Sequence, residues 1–388
     1  MSLPASRALR FFASRLALFV LSSLFLSTAS TAQSPTIREQ GIQLFDLGTL
    51  GGEQSSAWAI DAGGQVVGWS LLASGERRAF TSCAGCTMQD LGTHVGGSDS
   101  IGRAVSGNGQ WLAGSSGINA YGPGFREFTQ GFVYGNGAMA TVGALFCPCS
   151  FNVRHGTSEA YGVNDQGTVV GWGPSPRGNY YHAFIWKAGV IQDLSETGLG
   201  DPSYSRAFDI NNAEQIVGYI DRDDELTFAE SSRDAFIWEA DAFRTLSHLP
   251  GYTSSTAVAI NEAGQAVGWS GDLSGTSSSA AAWSDGRVIG LGTLAGDSNS
   301  RALAVNDNGQ VVGWSGEAEN NSRAFFWQRG FMLDLNSLLP ADSGWHLIEA
   351  RGINNRGMIV GTATINGEVR AFLLVPPSAQ RLRNSARR

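Results

Sequence analysis

Four cysteines stand in two close pairs, Cys83 and Cys86 in "CAGC" and Cys147 and Cys149 in "CPC". Two such pairs can hold zinc through four thiolates when they converge. In an oxidising compartment each pair can instead close a local disulfide. A Cys147–Cys149 ring would be strained and labile. The acidic run "DRDDE" offers Asp221, Asp223, Asp224 and Glu225 as oxygen ligands for Ca²⁺, although it lacks the spacing and central Gly of a helix-loop-helix calcium site. The five histidines are scattered without metal-ligand spacing, and no nucleophile elbow, phosphate-binding loop or HExxH motif occurs. Chemistry, if present, must therefore be assembled by the fold from distant residues.

The frame that would do so is a repeat. "ALAVNDNGQVVGWS" at Ala302 returns as "AVAINEAGQAVGWS" at Ala257 and "AWAIDAGGQVVGWS" at Ala57. Aligning on the Gly of "VVGW" gives seven copies, at Gly68, Gly114, Gly171, Gly218, Gly268, Gly313 and Gly361, spaced by 46, 57, 47, 50, 45 and 48 residues. A second phrase follows each, as in "HAFIW" at His182 and "RAFFW" at Arg323, and a third reads "DLGTL" at Asp46 or "DLGTH" at Asp90. Each copy thus supplies four short extended segments. Between the first two, "NDNG" has the chemistry of a tight hairpin, in which Asn accepts a backbone N–H and Gly takes positive φ. Asn164, Asn211, Asn261, Asn306 and Asn354 are read as turn residues on this ground.

The second and third segments are apolar on both alternating faces, as strands covered on both sides can be. Gly313 is expected where an adjacent sheet approaches, with room left for a ring. Trp69, Trp172, Trp269 and Trp314 share one repeat position and Trp186, Trp238, Trp283 and Trp327 another, which marks them as core. Four-stranded units of this length predict an all-β, seven-bladed β-propeller. "IQLFDLGTL" at Ile42 stands alone before the first copy, while the last copy stops at "RAFLLV" without its fourth strand. That offset predicts a last blade closed by the N-terminal strand, which removes exposed sheet edges.

Ile42 to Val375 also resembles the extracellular HAF-repeat family, whose His-Ala-Phe motif is present as His182-Ala183-Phe184. Arg78, Asp234, Arg323 and Arg370 replace that His elsewhere, so a catalytic role shared by all copies is excluded. The resemblance implies export and propeller-like repeats and brings no activity with it.

The ends fit that reading. Arg7, Arg10 and Arg15 precede the apolar run Leu16–Leu26, with small residues at Ser30 and Ala32. This is the pattern of a signal peptide over residues 1–32, too short for a membrane span. Residues 33–41 then form a linker, 42–376 the propeller and 377–388 a basic flexible tail. Losing three arginines and no acids takes the formal charge from −8 to −11, which disfavours nucleic acid. No membrane span is expected after cleavage, no cofactor is required, and a monomer is expected.

Departures from the repeat locate the expected contact surface. The connections after the second strand lengthen in the second, third and fourth copies, starting at Ser115, Gly173 and Ile220, and those from Cys147 and Ser195 are long too. In this layout they open on one face, placing Tyr121, Phe125, Arg126, Phe128, Phe151, Tyr180, Tyr181 and Tyr204 around one rim. Aromatics with Arg on adaptable loops suit a protein or glycan ligand. The two cysteine pairs fall on opposite faces, which disfavours a shared zinc. One rival function is a hydrolase or lyase on an extracellular polymer, using His155, Asp201 or Asp297 at the channel mouth. Another is a structural envelope or matrix component.

Overall fold

The "NDNG" turn forms as its residue types dictate. Asn306 accepts the N–H groups of Asn308 and Gln310 on its side-chain oxygen, and Gly309 closes the turn at φ +68°. The structure adds a second role for this Asn. Its side-chain amide donates to the backbone carbonyl of Asn354, the equivalent residue of the next copy, at 2.9 Å. The same bond runs from Asn164 to Asn211, Asn211 to Asn261, Asn261 to Asn306, and Asn354 on to Asp61. The turns therefore form a belt that ties successive copies together, which a turn reading alone does not contain.

The computed structural model describes residues 37–39, 41–94, 97–118, 128–145, 157–175, 181–196, 204–222, 232–272, 274–318 and 321–377. They lie in one compact unit, Ala32–Arg388. The described elements are antiparallel strands with two short 3₁₀ turns, Leu194–Glu196 and Leu335–Leu338. Among them no helix is long and apolar enough to cross a membrane. The proposed signal peptide and basic tail lie outside the described residues.

The all-β propeller fold is present, but the expected set of seven separate four-stranded blades is not. The strands pair into six sheets. Four of these hold four strands each, and a fifth carries the same meander with one extra outer strand, giving five discrete blades. The sixth is a single eight-stranded sheet built from Glu159–Val163 through Ala242–Leu246. The physical reason is one parallel pairing, Tyr181 with Tyr204, which carries hydrogen bonding across what would have been a gap between blades.

In the five-stranded sheet, Ile42–Asp46 pairs antiparallel with Glu368–Val375, with Phe45 opposite Leu373. Ile37–Glu39 then adds outside it. Leu44 and Leu47 are at most 2 % exposed there. Across the junction with the first copy, Ser55 accepts the N–H of Ala371, and Ser56 shares a 2.7 Å hydroxyl bond with Thr362.

Ser55 belongs to a series. Ser100, Ser205, Ser255 and Ser300 each begin a first strand, are buried, and accept the N–H of Ala79, Ala183, Ala235 and Ala280 on the preceding sheet at 2.9–3.0 Å. These hydroxyls satisfy buried N–H groups that would otherwise cost about 1–3 kcal/mol each. Between the sheets the core is aromatic. Phe80, Phe132, Phe184, Phe236, Phe325 and Phe372 occupy one repeat position and are all fully buried. Phe325 and Val311 pack with Val267 and Ala280 of the preceding sheet.

Candidate binding site in the axial channel

Every first strand carries an irregularity at the same repeat position. Register shifts fall between Ala57 and Ala59, Gly102 and Ala104, Ala160 and Gly162, Ala207 and Asp209, Ala257 and Ala259, Ala302 and Ala304, and Ala350 and Gly352. A bulge leaves one residue unpaired and re-aims its side chain. The seven bulge residues are Trp58, Arg103, Tyr161, Phe208, Val258, Leu303 and Arg351, and all of them line a central cavity of about 480 Å³.

Two residues further along, Ile60, Val105, Val163, Ile210, Ile260, Val305 and Ile353 form an aliphatic collar. Beyond it, at the end marked by the Asn belt, Asn212, Glu262, Asp307 and Asn355 line the mouth. The channel is thus graded along its axis, from an arginine–aromatic level through an apolar constriction to an acidic, amide-rich ring.

The arginine–aromatic level is tightly ordered. The Arg103 guanidinium lies 4.3 Å from the Tyr161 ring centroid and 5.0 Å from that of Trp58, and Arg351 approaches the same Trp58 at 4.7 Å. Glu159 binds both Arg103 and the Tyr161 hydroxyl at 2.9 Å, and Glu349 accepts from Arg351 at 2.5 Å. Across the cavity Arg301 sits over Trp269 at 4.6 Å and Trp314 at 5.4 Å. These two tryptophans, read from sequence as core, line the cavity; Trp314 is buried as well, as are Trp238, Trp283 and Trp327 of the second set.

Asp209 is the exception at its repeat position, where the other copies have Ala or Gly. It lines the cavity half-buried and accepts the N–H groups of Ile210 and Ile260, each at 2.9 Å. Burial raises its carboxyl strongly; the two N–H donors oppose this, Glu262 adds to it, and the result is about 7. The protonated form therefore contributes stability that is fully present below the ordinary carboxyl value of 3.8 and is lost as pH rises through about 7. In unfolding titrations, the stability of wild type relative to Asp209→Asn is expected to fall by on the order of 2 kcal/mol from about pH 4 to about pH 8, after discounting for water in the channel. A flat difference would remove the shift.

The residues singled out from sequence are distributed differently. Tyr181 and Tyr204 do meet, stacked with centroids 6.2 Å apart, but within the eight-stranded sheet and away from the cavity. Tyr121, Phe125, Arg126, Phe151 and Tyr180 lie outside the described residues, as does the side chain of Phe128. Asp221 gives both carboxylate oxygens to Arg233, at 2.9 and 3.2 Å. Asp223, Asp224 and Glu225 lie outside the described residues, among which no metal-holding cluster occurs. Cys83 and Cys86 are joined by a disulfide, while Cys147 and Cys149 are not described. Asp297 pairs with Arg323 at 2.8 Å, and His155 and Asp201 are not described.

His182, Asp193 and Ser195 form a buried cluster with the residue types of a hydrolytic triad, but not its geometry. Asp193 and Ser195 both contact Nδ1 of His182, at 2.8 and 3.0 Å. A triad needs Ser on the opposite ring nitrogen. Burial pushes the Asp193 carboxyl up, yet the bonds from His182 and Ser195 outweigh it and hold the group below its ordinary value. The His-Ala-Phe histidine is therefore a structural clamp.

The signal that would have found the channel residues is a column. Between the Ala and the Ile or Val of each first strand sits one residue that differs from copy to copy, while its neighbours repeat.

The architecture is that of the β-propeller class. No protein-family model matches the sequence, and no curated protein matches it. Solved structures do. The β-propeller domain of the Trilobed protease from Pyrococcus furiosus aligns with a TM-score of 0.51 at 11% identity, over 82% of this chain and 95% of that one. Pyrococcus horikoshii acylaminoacyl peptidase gives 0.50 at 13% identity, over 80% of this chain and 50% of that one. A Mycobacterium tuberculosis puromycin-hydrolyzing peptidase gives 0.50 at 11%, over 90% and 55%. The chain thus spans about half the length of these two peptidases. At such identities the likeness is one of fold.

Proposed function

We propose that this chain is an exported, non-catalytic propeller that binds a protein or glycan on the face opposite the Asn belt. Export follows from the N-terminal pattern of Arg7 to Ala32 and the likeness to HAF repeats. One observation carries the binding reading. The repeated residues have structural work, namely the Asn belt, the Ser bonds and the Phe core. The bulge column varies from copy to copy between Ala or Gly neighbours, Asp209 apart, and every member of it lines a cavity. Identical scaffold positions with individual cavity positions are what a ligand surface on a repeat requires. The strands flanking the lengthened connections, at Gly117 and Thr129, Pro174 and Tyr181, and Arg222 and Ser232, end on that same face.

The test is a glycan and extracellular-protein array probed with the full chain. Trp58→Ala is expected to weaken capture roughly tenfold or more, with its thermal transition unchanged, while Val190→Ser on an exposed hairpin leaves capture intact. Equal capture by Trp58→Ala, or none by wild type, rejects the surface. A second reading, a hydrolase or lyase acting on an extracellular polymer, has one observation in its favour. Asp209 places a carboxyl that titrates near 7 inside the cavity. Turnover abolished by Asp209→Asn would favour it.

A further inference from the structure

We propose that the arginine–aromatic end of the channel binds a carboxylated sugar ring, the uronic-acid unit of an acidic polysaccharide. This deepens the binding reading above and rests on it. The cavity, about 480 Å³, falls within the range of small-ligand sites. Arg103, Arg301 and Arg351 bring three guanidinium groups to one end of it; Glu159 and Glu349 pair with the first and third, so the level keeps one net positive charge. Planar guanidinium forks suit carboxylates, which they can bind through two parallel N–H donors. The rings of Trp58, Trp269 and Trp314 at the same level give apolar walls against which the C–H face of a pyranose can lie.

Aromatic walls can also attract cations. Here Arg103, Arg301 and Arg351 already lie against those rings, at 4.6–5.4 Å from their centroids, so a cationic ligand would meet like charge. The opposite mouth carries Glu262 and Asp307, so an anion is drawn in from the arginine end and repelled from the other. The aliphatic collar between them offers a polar ring no hydrogen-bonding side chains. A long polyanion of nucleic-acid charge density is disfavoured by the formal charge of −8, whereas one carboxylate per sugar ring needs only the local arginines.

Titration calorimetry of the full chain tests this with oligomers of galacturonic and glucuronic acid, their methyl esters, and a neutral galactose oligomer. The acids are expected to bind roughly tenfold or more tightly than the esters. Arg103→Gln and Arg301→Gln should each weaken acid binding about tenfold, and Arg301→Lys should recover part of it. The ester comparison uses the unaltered chain, so it decides even where a variant misfolds. Acids, esters and neutral sugar bound alike would overturn the carboxylate assignment and leave the glycan reading standing. No binding of either acid by the folded chain would overturn it as well, and the array then judges the broader reading on its own.

Discussion

A chain shortened to begin at Gly48 is expected to lose its single cooperative unfolding transition. Shortening removes the strand Ile42–Asp46 together with Leu47, four of whose apolar side chains are 7 % exposed or less. Each such side chain contributes about 1.5–3 kcal/mol by burial. Their absence also uncovers Phe372, Leu373 and Leu374 on the partner strand, all buried in the intact chain. The ordering entropy of the lost residues offsets part of this. The net loss is still several kcal/mol, comparable with the whole stability of an ordinary domain, about 5–15 kcal/mol. Urea unfolding followed by tryptophan fluorescence and by circular dichroism should give non-coincident, early transitions. A shortened chain that unfolds at the wild-type midpoint would show that the closing strand is dispensable. A synthetic Ile42–Leu47 peptide added in excess should restore part of the lost stability, because it binds the folded state alone.

Gly313→Ala is expected to cost roughly 3 kcal/mol or more. A Cβ there would stand 2.0 Å from the Arg301 carbonyl oxygen and 3.0 Å from the Ala302 Cα. Both are backbone, so neither can swing aside. The crowding comes from the first strand of the same sheet, not from the neighbouring sheet that the repeat pattern suggested. The bulge turns that carbonyl toward the second strand, and the same contact, at 1.8–2.0 Å, recurs at Gly68, Gly114, Gly171, Gly218, Gly268 and Gly361. Bulge and glycine are two halves of one device. Gly290→Ala is the control: its new methyl would meet only Leu249 at 3.5 Å, ordinary contact. Equal urea midpoints for the two variants would show that the strand can retreat.

Much of this architecture is legible because its causes are local. Asn306 and Gly309 announce a turn by their own chemistry, and the stray "IQLFDLGTL" announces a missing partner by bookkeeping alone. What was illegible depends on geometry that sequence does not encode directly. A bulge reverses the in–out alternation of a strand, so no parity argument could aim Trp58 or Arg103 at the axis. Ser100 and Ser300 sit buried in strands as bonds between sheets, a role that their sequence neighbours do not announce. The blade count failed at Tyr181 and Tyr204, because a single backbone pairing between neighbours leaves no mark in composition. Those tyrosines, expected on a contact rim from the length of the loops beside them, stack on each other.

The belt of side-chain amides has a gap, and the gap predicts where heat first loosens the molecule. In the first two copies the Asn is replaced by Asp61 and Ser106; the amide of Asn108 takes over at the second, reaching the Asp165 carbonyl, whereas the first is joined to the second at this level by the Ala62 N–H to Gly107 bond. At the junction between the last copy and the first, Asn354 grips Asp61, and the Ser56–Thr362 hydroxyl bond adds to a serine bond of the kind Ser100 makes between the first two copies. Thermal breathing should therefore begin between neighbours that the polypeptide itself connects, leaving the seam that evolution had to stitch as the firmer one.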